Sequence, residues 1–264
     1  YAGPAGFVFN PGTALSSPWK DYFFAASFPS VAANARVYGF KLAPDGAGFR
    51  KVDEQVLTRG VLVVGMKFGP DGALYLTDWV AGWDSKNDGR IWKLDTPAVA
   101  GSAARTEVQT LLRTDLATMP AAKVAPLLGH VDMRVRMQAQ FDLVRRADVT
   151  ALLQAARDRS DLHARLHGLW GLAQLARRDR TQATQLPAFL TDSDAEIRAQ
   201  AARMIGDVRH APAADQLVPL LKDGDARVRF FAAEALGRLA HRPATAPLVA
   251  MLADNDGRDV YLQH

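Results

Sequence analysis

Two hydrophobic rhythms divide the chain. Between Phe7 and Leu94, short runs of β-branched and aromatic residues are bounded by Gly, Pro, Asp and Asn, the pattern of half-buried strands separated by turns. Seven runs stand out: "FVF", "YFFAASF", "RVYGFKL", "FRKVDEQVL", "VLVVGMKF", "ALYLTDW" and "RIWKL". Pro70-Asp71-Gly72 predicts a tight turn between the fifth and sixth, because proline presets the first corner and glycine accepts a positive φ. "APDG" at 43–46 predicts the same device between the third and fourth. Turn-linked strands of this kind suggest the four-stranded antiparallel blades of a β-propeller, yet a ring needs at least about four blades. Seven strands make two at best. Either they form a small open sheet covered by the helical half, or they are terminal blades in a piece of a longer protein; the second is the expectation carried forward.

Near Thr106 the period changes and an internal repeat begins. Its segments are "DMRVRMQAQFDLVRR" from Asp132, "DLHARLHGLWGLAQLAR" from Asp161, "DAEIRAQAARMIGD" from Asp194, "DARVRFFAAEALGRLA" from Asp225 and "DVYLQH" from Asp259. Each opens Asp-x-x-apolar-Arg, except that Gln263 replaces the last arginine; Arg136, Arg165, Arg198 and Arg229 are 29, 33 and 31 residues apart. The Asp stands where an N-cap belongs, taking free N–H groups and opposing the helix dipole. Behind it run the triplets Val135/Ala139/Leu143, Ala164/Gly168/Leu172, Ile197/Ala201/Ile205 and Val228/Ala232/Leu236, each on one helix face, with a small middle residue that lets a neighbour approach. Before each Asp lies a second apolar segment, "KVAPLLG", "VTALLQAA", "QLPAFL", "QLVPLL" or "PLVAML", each expected to be a partner helix. Such pairs bury their apolar faces only by stacking, which leaves long exposed surfaces for partners. The last repeat reaches His264 about one turn into its second helix, so the stack is also expected to belong to something longer. The predicted organisation is mixed: propeller blades over 1–97, a linker and connecting helix over 98–119, and an α-solenoid of HEAT-like repeats over 120–264.

Composition narrows the function classes. At 264 residues with 48% apolar and 23% charged residues, the chain is of globular type and long enough for a substantial core. There is no cysteine, which excludes disulfides, thiolate metal sites, cysteine nucleophiles and C-x-x-C-H haem attachment within these residues. No window approaches the roughly 18 apolar residues of a membrane span, and "YAGPAGFVFN" lacks the features of a signal peptide; membrane insertion is not expected. The net charge of +4 is spread over interspersed signs. Arg177, Arg178 and Arg180 form a short basic run at a helix end, and HEAT-like DNA glycosylases use basic surfaces, so a nucleic-acid-binding HEAT protein is the alternative reading, beside a stand-alone protein-interaction module. Against nucleic acid, 22 basic residues after position 97 are matched by 19 acidic ones, and phosphate binding needs a clustered stripe. The four repeated arginines are expected to form a structural ladder with aspartates of adjacent repeats.

Candidate chemistry is sparse. Asp78, Trp79 and Trp83 close the sixth strand, where propellers open toward a central channel; aromatic rings beside a carboxylate suit stacking on, and hydrogen bonding to, a sugar ring. Arg90 is placed to pair with one of these aspartates, and tryptophan packed between blades is the plainer alternative. Asp84, Asp88, Gly89 and Asp95 match the first, fifth, sixth and twelfth positions of an EF-hand-like loop, but Lys86 occupies the third and the flanks are strands, so a solvated Asn-Asp-Gly turn is expected. His163 and His167 share a helix face at zinc-binding spacing, without the Glu of H-E-x-x-H or a third ligand; structural histidines are expected, with Trp170 as inter-repeat core. No nucleophile elbow, phosphate loop or strong carboxylate pair marks a catalytic set.

Taken together, "PAGFVFNPGTAL", "DYFFAASFP", "GVLVVGMKFGPDGALYLTDWVAGW", "GRIWKL", "LLGHVDMRVRMQAQFDL", "ARLHGLWGLAQLAR", "DAEIRAQAARMIGD", "RVRFFAAEALG" and "NDGRDVYLQH" resemble the bacterial PVC-type haem-binding C-x-x-C-H proteins, also called membrane-bound-dehydrogenase-like proteins. In that family a propeller similar to quinoprotein sugar dehydrogenases precedes HEAT repeats and a cytochrome c-like domain. The resemblance implies final blades plus about five helical repeats, an exported periplasmic or envelope-facing parent that oxidises a sugar-like or alcohol substrate, and haem c only in a downstream domain. Quinoprotein glucose dehydrogenases carry arginines for the quinone ahead of a comparable turn; here Leu62 and Val64 stand there, with Lys67 the only cation, so no quinone is expected on this segment.

Overall fold

The computed structural model describes residues 3–80 and 87–263, so Trp83, Asp84 and Lys86 lie outside the described residues. Its contacts divide the chain into two units, each taken by itself below. The first is Tyr1–Ala43, Arg50–Asp115 and Val131–Val135; the second is Pro44–Phe49, Leu116–His130 and Arg136–His264.

The seven apolar runs all become strands: β1 (Gly3–Phe9), β2 (Phe23–Phe28), β3 (Arg36–Asp45), β4 (Gly48–Arg59), β5 (Val63–Phe68), β6 (Leu74–Asp78) and β7 (Arg90–Leu94). They make two sheets, ordered β1-β2-β3-β4 and β5-β6-β7. Along β2, alternation puts Phe24 and Ala26 into a core with Leu15, Val37, Val63, Phe68, Leu74 and Leu76. The other face of the same strands carries phenylalanines in cross-strand register, Phe9 opposite Phe23 and Phe23 opposite Phe40. Phe23 stacks on Phe7 at 5.6 Å and on Phe40 at 5.9 Å.

At the Pro70-Asp71-Gly72 turn, the Gly72 N–H bonds the Gly69 carbonyl at 3.0 Å, with Pro70 at the first corner and Gly72 at φ +80°. A Cβ on Gly72 would lie 2.7 Å from Arg105 Nε, so glycine is required twice over. "APDG" behaves differently. Pro44 and Asp45 extend β3, and the corner falls on Gly46, at φ +58°, and Ala47. Pro44 lies past Phe40, the last residue of β3 paired to β2, where that ladder makes no demand on its missing N–H.

Helix α1 (Ala103–Arg113) also belongs to the first unit. Its Arg105 is only 3% exposed. The guanidinium bonds the carbonyls of Thr13 at 3.2 Å, Leu15 at 2.7 Å and Asp71 at 3.3 Å, and forms an ion pair with Asp95 at 2.8 Å. A residue of the predicted connecting helix thus ties together the loop before β2, the Pro-Asp-Gly turn and the end of β7.

The helical part continues with α2 (Ala121–Val124), α3 (Met133–Arg145), α4 (Val149–Arg157), α5 (Leu162–Arg178), α6 (Ala195–Asp207), α7 (Ala214–Leu217), α8 (Ala226–Arg238) and α9 (Thr245–Asn255). Every repeated Asp accepts hydrogen bonds from the turn that follows it. Asp161 takes the Ala164 N–H at 3.0 Å, Asp194 those of Glu196 and Ile197, and Asp225 those of Arg227 and Val228. Asp132 takes the Arg134 N–H and Asp259 that of Tyr261. The triplets point inward; all their members are buried except the half-buried Ala164. At Gly168 an added Cβ would lie 2.6 Å from the Leu152 carbonyl oxygen, so the small middle residue admits α4 against α5.

The expected partner helices need correction. Only α4 and α9 are full helices; the others are four-residue helices continued as 3-10 turns, or 3-10 turns alone over Arg180–Gln185 and Pro187–Phe189. Pro126, Pro187 and Pro219 stand inside these three segments, where each removes a hydrogen-bond donor and crowds the preceding turn. The α4 segment has no proline, and Pro247 occupies the tolerant first turn of α9.

A device without glycine closes three second helices. Ala147, Arg209 and Ala240, after α3, α6 and α8, sit at φ +55°, +52° and +50°. The N–H of each following residue reaches back to Leu143, Ile205 or Leu236, the six-to-one bond of a Schellman motif.

Candidate functional site

Asp78 ends β6, the middle strand of its sheet. Its carboxylate is buried and committed: Oδ1 accepts the Leu62 and Val80 N–H groups at 3.1 and 3.0 Å, and Oδ2 accepts the Trp92 indole N–H at 2.9 Å. Arg90 faces Asp78 in the strand register, and the Asp78 Oδ2 partner among the described residues is the Trp92 indole; Asp84, another aspartate offered to Arg90, lies outside the described residues. Sequence reading missed Trp92 because the bond depends on strand register. Trp79 is 41% exposed and lines an apolar hollow of about 540 Å³ with Pro4, Phe28 and Val64. Trp83 lies outside the described residues.

Two cation-binding readings also meet the structure. Asp95 of the EF-hand-like spacing is held by Arg105 and by its neighbour's Thr96 N–H at 2.7 Å. His163 is exposed, whereas His167 is buried: Arg136 Nε donates to its Nε2 at 3.2 Å, and its Nδ1 lies 2.7 Å from Gln140 Oε1. That geometry fixes the neutral Nδ1–H tautomer. Burial first, then the Arg136 charge, pushes its pKa down to about 4. Among the described residues, no group of three His, Asp or Glu is placed to hold a metal.

Two rungs of the arginine ladder pair with an aspartate of the adjacent repeat. Arg165 reaches Asp192 at 2.5 Å, and Arg198 grips Asp223 through Nε and Nη2 at 2.8 and 2.9 Å. Burial alone would raise the Asp223 carboxyl; the Arg198 hydrogen bonds and the Asp225 N–H outweigh it and hold the group below the usual carboxylate range. Arg229 instead bonds the carbonyls of Asp223 and Gly224, and Arg136 that of His130. The difference lies two residues before each cap: "DSD" and "DGD" offer an aspartate there, while Arg159 and Gly257 occupy that place ahead of Asp161 and Asp259.

A feature that sequence reading did not single out is a groove of about 610 Å³ in the second unit, over α3, α5, α6 and α8. Met137 and Phe141, 39% and 51% exposed, line one end with Leu166 and Trp170. The other end carries Arg177, Arg203 and Arg227 beside Glu196 and Asp207. A polar seam fixes the floor. Trp170 Nε1 donates to Gln200 Oε1 at 3.0 Å, Gln200 Nε2 to Glu196 Oε1 at 2.7 Å, and Arg227 Nε to Glu196 Oε2 at 2.9 Å. The signal was present: Met137/Phe141 and Leu166/Trp170 are apolar pairs two residues out of phase with the triplets, on the opposite helix face, where a helix in contact on one side only would be polar.

A family model described as HEAT repeats matches residues 183–262, from the turns before α6 through α9 to the last 3-10 turn. Among curated proteins, none matches the chain. The architecture is therefore antiparallel sheets followed by a helical repeat region, of which residues 183–262 match HEAT repeats.

Proposed function

We propose that this chain is a non-catalytic docking segment of a larger, envelope-facing redox protein, in which the last blades of a β-propeller lead into HEAT repeats that hold partner domains. The observation that carries the docking role is the groove: second helices already buried along their triplets present Met137, Phe141 and Trp170 on the opposite face. Apolar side chains gathered there suit association with protein rather than solvation. The blade reading is supported by the four-stranded β1-β2-β3-β4 sheet, whose face away from the core carries Phe7, Phe9, Phe23 and Phe40, as a sheet that packs a second neighbour would.

The redox parent rests on the resemblance to PVC-type haem-binding C-x-x-C-H proteins. These residues contain no cysteine, so covalent haem belongs to a different part of such a parent. A sugar-like or alcohol substrate near the end of β6 would meet the exposed Trp79 ring, since the Asp78 carboxylate is occupied. The test is to express the complete gene product and stain it for covalent haem after denaturing electrophoresis. A haem band with a Soret absorbance is expected, in the periplasmic fraction. A haem-free product confined to the cytoplasm overturns the redox parent, and steeply salt-dependent retention of oligonucleotide on filters would move the assignment to nucleic acid.

A further inference from the structure

We infer that the groove over α3, α5, α6 and α8 takes an acidic peptide segment of a partner protein, anchored by one bulky apolar side chain; this rests on the docking role proposed above. The apolar end supplies the anchor site, with Met137, Phe141 and Trp170 accessible and Trp170 held in place by Gln200. The charged end has cationic capacity to spare. Both oxygens of Glu196 are taken, by Gln200 and Arg227. Asp207 serves three guanidiniums at once: Oδ1 accepts from Arg238, while Arg177 and Arg203 both lean on Oδ2, at 3.4 and 3.9 Å. Those are outer-limit distances, and the two side chains are 55% and 45% exposed. Each keeps N–H donors that a second carboxylate can accept in the forked geometry arginine favours.

The separation of the two ends selects the partner. A continuous polyanion would lay phosphates along Met137, Phe141, Leu166 and Ala173, apolar members of the groove lining, and against the carboxylates of Glu196 and Asp207. A peptide with Asp or Glu next to an aromatic or leucine side chain places its charge only where the arginines are.

The test pans a random peptide library displayed on phage against the chain, then measures anisotropy of the enriched, fluorescein-labelled peptides on the wild type and on R177A/R203A. Amide exchange locates the bound site. Enriched peptides should join an aromatic or leucine residue to Asp or Glu and slow exchange in α5 and α6. They should lose about tenfold in affinity or more with R177A/R203A, or when their acids become amides. Because both arginines are half-exposed, the variant should melt with the wild type, and M137D should weaken the same peptides through the other end. Peptides that bind R177A/R203A undiminished, or protect another face, overturn the groove assignment and leave the docking role standing. No enrichment, or oligothymidylate held more tightly than any peptide, overturns both.

Discussion

Arg198 on α6 grips Asp223 with two hydrogen bonds of 2.8 and 2.9 Å, and Asp223 in turn accepts the N–H of Asp225, the cap of α8. One carboxylate therefore joins a second helix to the loop that starts the next. Arg198→Ala should remove about 2–3 kcal/mol from the unfolding free energy, since it leaves a largely buried carboxylate without its counter-ion. The check is urea denaturation followed by helical circular dichroism. Because the folded Asp223 titrates below its unfolded value, its contribution is complete above about pH 4 and is lost as pH falls through the depressed pKa. Arg198→Ala should then show a flatter acid limb than the wild type.

The helix ends after α3 and α8 hold alanine in a left-handed conformation, at Ala147 and Ala240. Glycine adopts that conformation without the Cβ clash. Ala147→Gly and Ala240→Gly should each stabilise the protein by roughly 0.5–1 kcal/mol, read as a raised denaturation midpoint. Glycine at Ala139 or Ala232, inside the same helices, should instead destabilise.

His167 is neutral in the fold, accepting from Arg136 and facing Gln140, with Arg136, His163 and Asp161 the charged groups that act on it. Its folded pKa of about 4 lies below its unfolded value, so its share of stability is present above about pH 6.5 and drains away as pH falls toward 4. The full loss is up to roughly 3 kcal/mol. Carbon-detected NMR should follow the ring titrating near 4 with the Nδ1–H tautomer above it. A ring that titrates at its ordinary value would contradict the Arg136 bond.

Arg105 and Asp95 form an ion pair within the first unit, buried beneath a loop and a turn. Arg105→Met should cost about 3 kcal/mol or more, because it strands a carboxylate and withdraws donors from three carbonyls. Arg105→Lys should recover little, since an ammonium cannot span the fork. Tryptophan emission, with Trp170 of the second unit replaced by phenylalanine so that only Trp19, Trp79, Trp83 and Trp92 of the first unit report, should shift at lower denaturant in Arg105→Met while the helical signal keeps most of its midpoint.

Legibility in the sequence followed the range of the interactions. Strands and second helices were readable because period-two and period-3.6 patterns are local, and the Asp caps because a cap acts within its own first turn. The first helices were misread where apolar character outweighed proline: "QLPAFL" has the composition of a buried helix, yet Pro187 denies it the bonds of one. Arg105 was not singled out in the sequence because its partners, Thr13, Leu15, Asp71 and Asp95, come together only in the folded unit. Asp78 was singled out as a carboxylate beside aromatic rings, while the structure shows Trp92 and the backbone at Leu62 and Val80 using its oxygens. The ladder was half readable. The arginines announced themselves by spacing, whereas their partners Asp192 and Asp223 hid in "DSD" and "DGD" behind the more conspicuous caps.

The prolines that fragment the first helices give the stack two rows of unequal stiffness. Pro126, Pro187 and Pro219 leave one set of segments made largely of short 3-10 turns, each held by weaker bonds than an α-helix, while the second helices run unbroken over 13 to 17 residues. Under a bending or pulling load the segmented row yields first, like the jointed side of a watch strap, and the groove on the continuous row keeps the spacing between Trp170, Gln200 and Arg227 as the coil flexes.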